Sequence, residues 1–273
     1  MSAQDDAKKL VDDFEKRTAT FWITLDRPKI AAGLRDRIDN PDDINQGNTS
    51  LCGPADFIRD IAEDTPGDYA RAVIELYETG RTRIGTLDLK PCHDLRAHRV
   101  PASARIADVD WIILASLRDS DNWWFDYQSE GDDASAITMP HSKEKWLKDA
   151  GYSEVINDTN IIACKDLPNA LRASKLFSKG YKVALFINAW MLDIDHMNDA
   201  SAFPDHWVAL TTAMNIQSCN VTYPGSVNED KNSSVAFDVY TWGDGHTSVP
   251  VGGKKLTDYH FLCNYYGFIA CRR

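Results

Sequence analysis

A glutamine, a cysteine and the start of a helix come together in Asn45-Gln46-Gly47-Asn48-Thr49-Ser50-Leu51-Cys52-Gly53-Pro54-Ala55. A thiol attacks a carbonyl only as the thiolate, and a free cysteine, with a pKa of about 8.5, is mostly protonated at neutral pH. Its position can change that. The turn-prone residues before Cys52 give way to Phe57, Ile58, Ile61 and Ala62 at helical spacing, so a helix is expected to begin near Cys52. Pro54 fits such a start, because its fixed φ and missing N–H are tolerated in a first turn and not deeper. The positive end of the helix dipole then favours thiolate over thiol. Gln46 lies six positions before Cys52, across a loop that can fold back. Its side-chain amide and the Cys52 backbone N–H are suited to polarising a carbonyl. The pattern fits nucleophilic acyl transfer, which also needs an imidazole from elsewhere in the chain.

His206 is the natural source. It heads the apolar run Trp207-Val208-Ala209-Leu210 after a Pro204-Asp205 turn, where a side chain at a strand head can project from a sheet edge toward a helix terminus. The histidines at 93, 98, 196, 246 and 260 lack matching neighbours, and His141 reads as a surface or capping residue.

With these residues the chain resembles the papain-like cysteine hydrolases. In that family a cysteine opens the first long helix of an α-rich lobe, and a histidine starts a strand of a β-rich lobe. The family's oxyanion glutamine stands six residues before the cysteine, which a glycine follows; Gln46, Cys52 and Gly53 keep that spacing, and Trp242-Gly243 echoes the family's Trp-Gly pair. The resemblance implies catalytic residues Cys52, His206 and Gln46, with no cofactor and no metal. It also implies a residue that orients the imidazole. Tyr240 stands where papain-like proteases carry an asparagine, so the role passes to Asp238, two positions back on the same strand face, with Asp244 as runner-up. The helical front and the Leu51-Cys52-Gly53-Pro54-Ala55 start resemble bacterial effector or toxin members. That implies a polypeptide or peptide substrate and a cognate inhibitor or immunity protein as a further partner.

The elements that must position these residues follow from periodicity. Amphipathic helices are expected over 4–20 and 29–38, then from Cys52, over 69–78, 103–117, 142–150 and 166–178, with a short strand at 86–89. After Gly180 the period changes. Strands are expected at 181–187, 204–212 and 235–243, followed by a helix at 257–263 and a strand at 267–272. Helices first and an antiparallel sheet second make an α+β fold. The expected organisation is a helical N-terminal extension, 1–45, and a catalytic domain, 46–273, with a helical lobe to about 179 and a sheet lobe beyond. The aromatic segment Asn122-Trp123-Trp124-Phe125-Asp126-Tyr127 is read as either a core wedge or a cleft wall.

Composition narrows the partners. Acidic residues (41) outnumber basic ones (30) for a net charge of −11, which argues against nucleic acid and for a neutral or basic partner such as a polypeptide. No apolar stretch approaches the ~18 residues of a membrane span. The opening residues lack a basic region followed by an apolar run, so the chain is expected to be made in the cytoplasm without a cleaved signal, compatible with export by a specialised secretion system. Six scattered cysteines are expected to stay reduced, and Cys92-His93 with His98 lacks the second cluster that zinc would need. Two other functions fit the same residues: a peptidoglycan endopeptidase or amidase, and a non-catalytic binding module. An acyl transferase with an amine acceptor is a lesser third.

Overall fold

The computed structural model describes residues 2–97, 99–121, 137–196, 199, 203–217, 234–241 and 245–273. The fold is α+β and divides into two compact units, Met1–Gly151 and Tyr152–Thr241 with Gly245–Arg273. Among the described residues no helix is long and apolar enough to cross a membrane.

The first unit is helical. Helix α1 (Ala3–Lys16) opens with a reciprocal cap between Ser2 and Asp5 and buries Ala7, Val11 and Phe14, one stripe at helical spacing. It packs along α4 (Pro66–Thr79) and against α2 (Arg27–Asp39), and α2 lies against α6 (Asp108–Asp121). Residues 1–45 are therefore built into the core of this unit and are not an extension of it; Ile30, Leu34 and Ile38 are fully buried. Helix α3 (Cys52–Asp64) buries ten of its residues and packs on α4, α6 and α7 (Pro140–Asp149). A hairpin of β1 (Thr82–Ile84) and β2 (Leu87–Leu89) and the short α5 (His93–Ala97) complete the described part.

One helix start differs from the expectation. Residues 102–104 form a 3-10 turn, Arg105 takes left-handed backbone (φ 48°, ψ 34°), and α6 begins only at Asp108. The aromatic segment 122–127 lies outside the described residues, as do Trp242, Gly243 and Asp244.

The second unit is a seven-stranded sheet whose pairs are all antiparallel, in the order β3 (Glu154–Thr159), β9 (Tyr265–Arg272), β4 (Lys182–Ile187), β5 (His206–Leu210), β7 (Ser234–Tyr240), β6 (Asn215–Gln217), with β8 (His246–Val249) also on β7. Helices α8 (Leu167–Phe177) and α9 (Asp258–Cys263) pack on it. The boundary falls at Gly151 rather than near residue 179, because Glu154–Thr159 pairs with Gly267–Arg272 of β9 and takes α8 with it. Strand β9 is buried through seven of its eight residues, and Phe186 of β4 stacks on Trp207 of β5 at 4.4 Å between ring centroids.

Candidate functional site

In the first unit the predicted nucleophile stands where its helix begins. Cys52 is the first residue of α3 and is 7% exposed. Leu51 precedes it and offers no side-chain cap, so the N-cap residue spends none of the first-turn N–H groups. Gly53 is required by packing: a Cβ there would lie 2.4 Å from the Thr138 side chain, just before α7. One turn into α3, Asp56 pairs with Lys143 of α7, both side chains almost wholly buried, and the second Asp56 oxygen has no partner among the described residues. The pair pins the helix that Cys52 opens to α7.

The loop before Cys52 is latched at both ends. The Asn45 N–H donates to Asp110 of α6 at 3.2 Å, and Asp110, fully buried, also accepts from Arg37 at 2.7 Å. Burial outweighs these contacts and pushes the Asp110 carboxyl up to about 6. The Asn48 N–H and side-chain amide donate to the carbonyls of Ala104 (2.7 Å) and Ser103 (3.2 Å). Gly47 has φ 57°, and any Cβ on it would meet the Ala104 carbonyl oxygen at 2.1 Å. These contacts hold the loop 45–51 against the turn 101–105.

Gln46 sits inside this frame. It is 5% exposed, its Oε1 is enclosed, and its side-chain amide forms no hydrogen bond among the described residues. Its own carbonyl is taken by the Thr49 hydroxyl at 2.6 Å. A buried amide normally spends its donors and acceptor within the protein, and the enclosed Gln46 Oε1 departs from that rule. Beside it opens a hollow of about 610 Å³ lined by Asn45, Gln46, Gly47, Asn48, Thr49, Ser50 and Arg105.

In the second unit His206 heads β5, 4% exposed, opposite Ile187 of β4. The turn that delivers it is anchored by Asp205, which accepts from the Ala189 N–H (2.6 Å) and from the Asn188 side chain (3.2 Å). Burial raises the Asp205 carboxyl above the usual range. The His206 Nε2 pairs with the Thr241 hydroxyl at 2.6 Å.

That contact corrects the expectation for Asp238. The β5–β7 register sets Ala209 opposite Tyr240 and Leu210 opposite Val239, and the Thr211 N–H donates to the Asp238 carbonyl at 2.9 Å. Asp238 is thus five positions along β5 from His206, about 16 Å at strand rise. Its backbone bonds to Thr212, and its side chain is half-buried on the opposite strand face from position 241. Thr241 was legible only through register: it stands directly before Trp242-Gly243, one residue beyond the position where an orienting group was sought. The alternative, Asp244, lies outside the described residues. His196 is exposed, stacked on Trp190 and paired with Asp199 at 3.0 Å.

The chemical capacities are therefore a thiol at a helix start, a buried amide six residues before it with no hydrogen bond among the described residues, and an enclosed imidazole bonded to a hydroxyl. No protein-family model matches the chain, and no curated protein or solved structure is measurably similar to it.

Proposed function

We propose that the chain is a cysteine-dependent hydrolase of amide bonds with the papain-like division of labour, Cys52 as nucleophile and His206 as its base. The observation that carries this reading is Gln46: an amide buried in a latched loop, six residues before a cysteine that opens a helix, with no internal hydrogen bond. A packing role would spend that amide; an oxyanion donor keeps it free until the substrate carbonyl arrives.

In this reading Cys52 transfers its proton to His206, and the thiolate attacks the amide carbon while the carbonyl electron pair moves onto oxygen. Gln46 and the Cys52 N–H hold that oxyanion. Its collapse expels the amine, which takes the proton from His206 and leaves an acyl-enzyme. Water then gives a proton to His206, attacks the thioester and releases the acid. With Nε2 committed to Thr241, Nδ1 is the nitrogen assigned to the proton exchange. Peptide bonds, glutamine side chains and cell-wall peptides all present this electrophile. The role as a delivered bacterial effector or toxin is part of the same proposal and rests on the resemblance of the Cys52 helix start.

The test is the pH dependence of cysteine alkylation by iodoacetamide, read peptide by peptide. Cys92 is exposed and serves as the internal reference. Cys52 should label faster than Cys92 well below pH 8 despite its burial, and His206→Ala should abolish that advantage. Equal or slower labelling of Cys52 at every pH would remove the hydrolase reading and leave a binding module.

A further inference from the structure

The hollow beside Gln46 has a chemical character of its own. Among the described residues its lining contains one cation, Arg105, and no carboxylate, in a chain where acidic residues outnumber basic ones 41 to 30. Most other lining residues carry amides or hydroxyls: Asn45, Asn48, Thr49 and Ser50. Arg105 is exposed, and its guanidinium makes no ion pair or hydrogen bond among the described residues. Elsewhere in the same unit Arg27, Arg35, Arg37, Arg59 and Arg71 are all paired with carboxylates.

The backbone at Arg105 adds to this. It is the one non-glycine residue at positive φ among the described residues. Glycine would hold that turn without the steric cost a Cβ brings, so the arginine is there for its side chain and not for the bend. A planar guanidinium with its donors unspent forks a carboxylate. A dianionic phosphate would call for a second cation, and the described residues of the lining hold none.

We propose that this hollow is a specificity pocket for an acidic side chain of a polypeptide substrate, with Arg105 gripping the carboxylate and the Asn48–Ser50 edge contacting the adjoining peptide. The proposal rests on the hydrolase reading and names its substrate class. Ser50 is two residues from Cys52, so a side chain in the pocket belongs to a residue within one or two positions of the scissile amide. The overall negative field favours neutral or basic partners at long range; the pocket reverses that preference at contact.

The experiment measures binding without turnover. Full-length Cys52→Ala protein is titrated with positional mixtures of fluorescently labelled hexapeptide amides, each carrying Glu or Gln at one fixed position and random residues elsewhere, and anisotropy is read at low salt. At one position the Glu mixture should bind about tenfold tighter than its Gln counterpart, the scale of a charge-assisted hydrogen-bonded pair. Arg105→Gly should erase the preference while its urea midpoint stays level or rises, and Arg105→Lys should retain part of it. Equal binding of Glu and Gln mixtures, no binding by any mixture, or a preference that survives Arg105→Gly would each overturn the proposal. Failure of the hydrolase reading is seen separately, in the alkylation of Cys52: an inert thiol together with an intact Glu preference leaves an acidic-peptide binding module.

Discussion

A hydroxyl on the imidazole Nε2 sets different limits from a carboxylate. Thr241 can accept from Nε2–H or donate to a bare Nε2, so it orients the ring in either tautomer without supplying a counter-charge. Thr241→Val keeps the shape and removes the bond, leaving Nε2 short of a partner in an enclosed site, a cost of about 1–3 kcal/mol. The low-pH alkylation rate of Cys52 should fall about tenfold or more in that variant, stay within about threefold in Thr241→Ser, and be unmoved in Asp238→Asn. A large loss in Asp238→Asn would restore the carboxylate. Gln46, Cys52 and His206 carry local signals in the sequence (spacing, a helix start, a strand head), and Cys52 and His206 do stand first in α3 and β5. The orienting group depends on which residue of one strand reaches which residue of another. No composition or periodicity carries that information, so an aspartate on the strand looked suitable while a threonine held the place.

Elements were legible where one period runs uninterrupted. Helices α3, α4 and α8 and strands β4 and β5 fall close to their expected spans. Strand β3 was missed because none of its six residues is buried and no face alternates; its pairing with β9 makes it a strand. Strands β6 and β8 are only three and four residues long. The late start of α6 has a consequence for pH. Asp110 lies in its first turn and ties Asn45, hence the Gln46 loop, to the helix. Its carboxyl is raised to about 6 in the folded protein, against about 3.9 in an unfolded chain. Between those values the folded state holds a proton that the unfolded state has lost. The stability contribution is therefore full below about pH 4 and is lost as pH rises through about 6, on the order of 3 kcal/mol at most. Asp110→Asn keeps an acceptor for Asn45 and removes the titration. Urea midpoints from pH 4 to 7 should show the wild type losing this component while the variant does not; parallel curves for the two proteins would assign the slope to other groups.

For the whole molecule, a net charge of −11 repels acidic ligands only within about 8–10 Å of the surface at physiological salt, so the proposed acidic-peptide preference should be expressed mainly in how long a bound peptide stays. The interior carries charge as well. Asp56 and Lys143 lie enclosed beneath the start of α3, and an ion pair taken wholly out of water is dear at ordinary temperature because hydration is forfeited. Lys143→Met, which strands Asp56, should cost about 3–5 kcal/mol, read as a shift in urea midpoint. That forfeited hydration weakens on heating, because ordering water around a charge carries an unfavourable entropy. The joint between α3 and α7 therefore gains relative strength as temperature rises. Helix α1, whose pairs Lys9–Asp6 and Lys16–Asp13 are largely exposed, has no such buried brace. Hydrogen exchange followed across a temperature series should find the α3 amides protected after those of α1 have opened. The start of α3, with Cys52 on it, should thus stay mounted while the periphery loosens.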